Sequence, residues 1–298
     1  MFVSFTNNIF SVTIKGIDRP VGNLRQECER KARDLYEENN KIMLGLSSGL
    51  DSQIVLHSFA SQSIPISCAF LYLKDCNDFE LNNVKFLEKK YNLNLQIVEL
   101  DPNLLKEQLL EEYKVTGIPP FQLMHKHFLS LLPEEYAFIQ GLDGPDLIKS
   151  KNNGEWYILQ TANSFINSRI RGLELLNRSG KIISWEKIPE IYCSLITDEI
   201  IQSYMYAYNY IFNNGLVTKN VYTVPMDKFD QYMKPFLYAK YWKDELEYFS
   251  KYQGPEQIPW IMNEKWHHYD KNVLYMPYKE VVDLLTTPGS EKTYYQRS

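Results

Sequence analysis

Between residues 42 and 140 the chain alternates short apolar runs with longer segments whose apolar residues recur at helical spacing. No other feature limits the fold as much. Residues 42–46, 66–73, 95–100 and 136–140 read as buried strands, and 52–59, 79–91, 103–113 and 120–132 as helices set between them or after them. Strands this apolar, joined by helices, pack into a parallel sheet covered on both faces. The expected class is therefore α/β, with a doubly wound parallel sheet and a mainly helical C-terminal region. Ahead of the alternation, "FVSFTNNIFSVTIKG" alternates around Asn7-Asn8 as a short hairpin would, and residues 21–38 carry helical spacing. After residue 150 the pattern changes. "EWYILQ" reads as one further strand, and "TDEIIQSYMYAYNYIF" and "KPFLYAKYWKDELEYFSKY" read as helices. The expected organisation is a hairpin and helix over 1–40 packed on the core, a central domain over 41–150, and a helical region over 151–298. The tail "TTPGSEKTYYQRS" is expected to be poorly ordered.

Composition narrows the function classes. Charged residues make up 23% of the 298, and the net charge of -5 disfavours a general nucleic-acid binder. No apolar run is long enough to span a bilayer, and no charged-then-apolar leader opens the chain, so neither membrane nor secretion is expected. Cys28, Cys68, Cys76 and Cys193 form no CxxC pair, which fits a reducing cytoplasm.

Chemistry concentrates where the first buried strand meets its helix, in "LSSGLDS", residues 46–52. In open α/β sheets ligands bind beyond the carboxyl ends of strands, and a helix N-terminus there offers amides and partial positive charge. Gly49 allows a tight turn and close approach of a ligand. The hydroxyls of Ser47, Ser48 and Ser52 suit phosphate oxygens. Asp51 would repel a bare phosphate, but a Mg²⁺ between the two turns repulsion into a bridge. A Walker A loop needs a lysine that is absent here, and no G-x-G-x-x-G follows a strand.

"LSSGLDS" resembles the S-G-G-x-D-S loop of the PP-loop ATP pyrophosphatases, a superfamily that includes asparagine, NAD and GMP synthetases. A second stretch, "GLDGPDLI" at 141–148, is similar to the G-E-G-x-D-E-L stretch of asparagine synthetase-like enzymes, with Asp143, Gly144 and Asp146 in the matching places. The resemblance covers roughly 41–148. It implies an ATP-dependent enzyme that cuts between the α- and β-phosphates and adenylates a carboxylate or carbonyl oxygen for attack by an amine. It implies ATP and Mg²⁺ as ligands, with Asp51 and Asp146 holding the metal. Ser47, Ser48, Gly49 and Ser52 would cradle the outer phosphates, Leu46 and Leu50 would complete the loop's contacts, and Gly141 would leave room for the α-phosphate. Adenine would lie near Phe70 to Tyr72, held largely by backbone groups.

Departures shape the expectation further. Ser48 stands where the family has glycine, Tyr238 in "KPFLYAKYW" where asparagine synthetases have aspartate, and Phe2 where a glutaminase half would have its cysteine. Nitrogen would then come from another amine, free ammonia or a partner subunit, and the acceptor is not named by the sequence. Three alternatives stand beside this reading. One is a sulfur-transferring or PAPS-reductase-like member using Cys76, another is a nucleotide-binding module in which Ser48 has spoiled transfer, and the third is a structural or interaction protein with no nucleotide site. The bland reading of 47–52 is a capped turn with Asp51 and Ser52 as caps. That of Asp143 and Asp146 is a type I turn. His57, the pair His125 and His127, and His267-His268 lack metal-ligand spacing. Lys234, Lys240, Lys243 and Lys251 read as a solvated helix face, though related synthetases place one such lysine against the transition state.

Overall fold

A computed structural model describes residues 2–6, 9–141, 146–150, 153–161, 172, 175–176, 182–199, 211–213, 216–218, 237–249, 260 and 273–295. Its centre is a five-stranded sheet built from β3 (Ile42–Gly45), β4 (Ser67–Leu73), β5 (Asn94–Leu100), β6 (Ala137–Gln140) and β9 (Ile182–Ser184). The order is β5-β4-β3-β6-β9 and every pairing is parallel. Each of the first four lies within a residue or two of the run that the apolar pattern marks.

The covering helices are α1 (Leu24–Glu38), α2 (Leu50–Ala60), α3 (Asp78–Tyr91), α4 (Pro102–Thr116) and α5 (Pro120–Ser130). Their ends follow from local chemistry. The Asn23 side chain accepts from Gln26 N while the Gln26 side chain accepts from Asn23 N, a reciprocal cap that opens α1. Asp101 accepts from the amides of Asn103 and Leu104 ahead of Pro102 in α4, and Gly117 closes that helix at φ +66°.

Strand alternation splits the core in two. Ile42, Leu44, Cys68 and Phe70 face one cluster with Leu24, Cys28, Ile54, Val55 and Phe59 from α1 and α2. Met43, Ala69 and Phe138 face the other with Leu109, Leu123, Met124 and Phe128 from α4 and α5. A sheet clothed on both faces must be apolar at every position, which is why these strands read as continuous runs. Each large side chain taken fully from water contributes about 1.5–3 kcal/mol.

Two further sheets, one of three strands and one of five, accompany this body. β1 (Phe2–Thr6) and β2 (Ile9–Lys15) form an antiparallel hairpin that is joined by β13 (Glu291–Tyr295). A mixed sheet runs β11-β10-β7-β8-β12, from β7 (Asp146–Ser150), β8 (Trp156–Thr161), β10 (Ile211–Asn213), β11 (Leu216–Thr218) and β12 (Val273–Pro277). α6 (Pro189–Ile196) and α7 (Tyr278–Thr286) complete the labelled elements, and Tyr278 Oη donates to Ile196 O at 2.7 Å between them.

Beyond residue 150 the described chain is richer in strand than its sequence suggests. The last two residues of "TDEIIQSYMYAYNYIF", Ile211 and Phe212, begin strand β10, and 200–210 lies outside the described residues. Short aromatic runs satisfy helix and strand equally, so periodicity cannot separate them. Residues 237–242 are helical as expected, but the helix ends there in a turn at 243–245. The tail is also corrected: 291–295 is strand β13, held to β2 by Lys15–Glu291 at 3.0 Å and by Thr13 Oγ1 to Thr293 Oγ1 at 2.9 Å.

Candidate functional site

In chain order the sheet reads 3-2-1-4-5, so the chain reverses direction across the sheet between β3 and β6. A crevice opens at such a point beyond the carboxyl ends of the strands. The loop after β3 and the residue after β6 both lie there. Gly141 sits so close to the first turn of α2 that a Cβ on it would lie 3.3 Å from Ser52 N and 3.5 Å from Asp51 C. Its bare backbone is what allows the two strand ends to close together.

The loop is tied into a fixed shape by its own hydroxyls. Leu46 is buried and its amide donates to Ala69 O at 2.9 Å, extending the β3–β4 ladder by one rung. Ser52 is buried; its Oγ accepts from Ser47 N at 3.1 Å and lies 2.8 Å from Ser47 O and 3.0 Å from Gly49 O. Ser47 Oγ accepts from Gly49 N at 3.2 Å. Gly49 is the N-cap of α2 and makes no side-chain cap; Leu50 begins the helix and Asp51 follows in its first turn. Asp51 and Ser52 are therefore helix residues, not caps. Ser52 braces the turn, while Ser47 and Ser48 are the hydroxyls left half-exposed at its rim.

Side chains from elsewhere reach this turn. Tyr238, fully buried, donates its hydroxyl to Asp51 Oδ1 at 2.6 Å from 187 positions further along the chain. Gln53, also fully buried, donates to Ser48 O at 3.1 Å and to Glu247 O at 2.9 Å, and accepts from Glu247 N at 2.8 Å. One amide side chain thus grips both the loop and the 237–249 segment. Tyr91 Oη donates to Glu245 O at 2.8 Å, Arg25 Nη1 donates to Tyr241 O at 2.6 Å, and Lys90 pairs with Glu247.

Glu80 of α3 approaches from the β4 side. It is buried, with Oε1 accepting from Ser48 N at 3.3 Å and Oε2 from Asn77 Nδ2 at 3.4 Å. Burial pushes its pKa up, and the hydrogen bonds from Ser48 and Asn77 act the other way.

The remaining expected site residues are distributed unevenly. Phe70 is buried in the core, and Tyr72 points its hydroxyl at Asp78. Because Ala69 O faces β3, strand alternation turns the backbone groups of Phe70 and Tyr72 toward β5. Leu71 faces the crevice instead, and its carbonyl accepts from Asn77 Nδ2 at 3.0 Å. Within the Phe70 to Tyr72 stretch, the backbone groups on the β3 side are therefore those of Leu71. Asp146 is the first residue of β7, paired with Leu159; its side chain and residues 142–145 lie outside the described residues.

Against known proteins the likenesses are loose. No family model matches the chain. A stretch of 64 residues, 22% of this chain, is 34% identical to an uncharacterized protein of Methanocaldococcus jannaschii and spans 25% of that protein's length. Among solved structures, the chain is similar to an NH3-dependent NAD synthetase from Campylobacter jejuni at a TM-score of 0.32 and 16% identity, over 40% of this chain and 56% of that one. It is similar to an NMN synthetase from Francisella tularensis at a TM-score of 0.36 and 14% identity, over 84% and 96%. The fold and the site therefore rest on the sheet order and the contacts above.

Glu80, Gln53 and Tyr238 are functional candidates that the sequence reading misses. Glu80 is one acid among several in an amphipathic helix, and Gln53 gains its role from a backbone 194 positions away. Tyr238 had a signal, its place in "KPFLYAKYW", but reads there only as a departure. Cys76 is buried at 2% exposed in the α4–α5 core cluster, and all four cysteines are thiols outside any disulfide. Lys240 pairs with Asp198 at 3.2 Å and Glu199 at 3.0 Å, and His127 with Glu112 at 3.2 Å. Lys234, Lys251 and His267-His268 lie outside the described residues. Among the described residues no cluster of three or more His, Cys, Asp or Glu could hold a metal ion, and no helix is long and apolar enough to cross a membrane.

Proposed function

We propose that the β3–α2 loop binds ATP with Mg²⁺, and that an acceptor oxygen attacks the α-phosphorus there. The bond from that phosphorus to the bridging oxygen breaks, pyrophosphate leaves, and the acceptor carries the adenylyl group. One observation carries the reading: a serine- and glycine-rich turn at the carboxyl end of the central strand, at the reversal point of the sheet, opposite a glycine packed on the same helix. The residues fit the ligand. The first turn of α2 offers amides and dipole to the phosphates. A Cβ on Gly49 would meet only Ser47 Oγ, at 3.2 Å, so one side of the turn is open. Ser47 and Ser48 line its rim.

Asp51 is the described residue that would hold Mg²⁺, with Asp146 as the second ligand implied by the resemblance. The ion, when bound with the triphosphate, supplies neutralisation of its charge. This chain's own contribution is positioning: Tyr238 orients Asp51, Gln53 and Ser52 fix the turn, and Gly141 keeps the strand ends close. The acceptor is a carboxylate or carbonyl oxygen, and the nitrogen that follows comes from an amine, ammonia or a partner subunit. The setting is a reducing cytoplasm.

The test is thermal stability with and without Mg·ATP, for the native chain and for Gly49→Arg. Ligand at a hundred times its dissociation constant stabilises by about 2.7 kcal/mol, a rise of a few degrees. A magnesium-dependent rise that the arginine abolishes supports the site; no rise at millimolar Mg·ATP sinks it. A second reading, binding without transfer, is favoured by the way Tyr238 and Glu80 already engage Asp51 and Ser48. Its mark is Mg·ATP binding with no AMP formed across a broad acceptor screen.

A further inference from the structure

Glu80 is a buried carboxyl group that the proposed chemistry does not use. Its side chain is pinned: Asn77, which donates to Oε2, also donates to Leu71 O at 3.0 Å and accepts from Leu73 N at 2.8 Å, so β4 itself sets the carboxylate's orientation. The residue is only 8% exposed, and among the described residues no lysine, arginine or histidine shifts its titration. A buried carboxylate without a counter-charge is costly, and such groups persist where a ligand returns the lost interaction. What it does face is Ser48 N, an amide of the very turn assigned above to phosphate. The nearby Asp51 differs, because the Tyr238 hydroxyl offsets part of its charge.

We propose that Glu80 is a specificity-determining residue that makes the loop reject phosphates arriving without a divalent cation. The inference rests on the nucleotide reading of the loop. A metal-free triphosphate brings several negative charges against a carboxylate in a site where solvent screens poorly, and the repulsion is large. The same triphosphate carrying a divalent cation has much of that charge neutralised, so the repulsion falls. The carboxylate also competes directly for the Ser48 amide, so a bare anion must displace it before binding.

Calorimetric dissociation constants at pH 8, well above the ordinary carboxylate range, decide the matter. Mg·ATP is compared with ATP in EDTA, for the native chain and for Glu80→Gln and Glu80→Met. Glutamine keeps an acceptor for Ser48 N and removes the charge, and methionine keeps the bulk, so one of the two reports even if the other does not fold. The expected result is a strong preference for Mg·ATP in the native chain that narrows about tenfold or more in the variants, through a gain in metal-free binding. An unchanged preference overturns the proposal. So does a folded variant that loses Mg·ATP, since Glu80 would then be a cation ligand. Failure of every protein to bind either form of ATP overturns the reading of the loop, and this inference with it.

Discussion

Along one side of the 46–52 turn, every group comes from elements that follow each other in the parallel sheet: β3, the start of α2, and Gly141 after β6. Along the other side, Tyr238 and Glu247 arrive from 187 and 194 positions away. The first side is made of backbone geometry, which apolar period and glycine placement dictate. The second is made of a few long-range hydrogen bonds, the Tyr238 hydroxyl on Asp51 and the Gln53 amide on the Glu247 backbone. A crevice can therefore be set by topology while its electrostatics are set by distant residues. Substitutions should separate the two.

The largest effect comes from removing what both sides share. Ile54 is fully buried in α2 beneath the turn, packed in the cluster that also holds Leu237, Tyr238 and Trp242. Ile54→Ala should cost about 2–5 kcal/mol in denaturant unfolding, and loop and 237–249 segment should be lost in one transition. Two transitions would show that the distant side unfolds on its own.

His57 tests the same junction through pH. It is buried, its ring meets Tyr91 edge-on at 5.1 Å, and burial pushes its pKa down from 6.5 to about 4. Below the ordinary value the unfolded chain takes a proton that the folded chain refuses until about pH 4. Stability from this group is therefore complete at neutral pH, falls as pH drops through that window, and levels off beneath it. The loss totals about 3 kcal/mol. Unfolding free energies of His57→Gln over the same range should lack that component, and an equal slope in the variant would assign the loss to other groups.

How much of this was legible follows from the same division. The strand and helix alternation of 42–140 is written in residues a few positions apart, so elements and loop emerge from period and turn chemistry. Strand β13 does not, because "EKTYY" becomes a strand only through its partner β2 at the other end of the chain. Glu80 does not either: nothing in a helical acid tells that Asn77 will turn it onto Ser48. Asp146 shows the middle case. The "GLDGPD" stretch was visible, yet its last aspartate opens a strand of the second sheet, a pairing with Leu159 that no local pattern encodes.

Gln53 measures the distant side alone. Its fully buried amide makes three hydrogen bonds to backbone groups of Ser48 and Glu247. Gln53→Ala should cost about 1–3 kcal/mol, because three hydrogen bonds are lost together. Hydrogen exchange should rise at 245–249 and stay protected in β3 and β6. Equal deprotection of β3 would mean that the clamp supports the sheet as well as the segment.

Tyr238→Phe is the smallest change and the most discriminating. It removes one oxygen from a fully buried ring and leaves the packing with Leu237 and Trp242 in place. A hydrogen bond to a carboxylate that is itself half-exposed contributes about 1 kcal/mol, so the fold should survive with a slightly lower melting temperature. The consequence for Asp51 should be larger than the consequence for stability. Without the phenol at 2.6 Å its carboxylate loses one restraint, and on the proposed reading the ordering that the ligand must then supply weakens cation binding. The half-saturating Mg²⁺ concentration for ATP binding should rise, while the amount bound at saturation stays unchanged. If it does not move, Tyr238 only fills space, and the distant side of the crevice supports the turn through Gln53 alone.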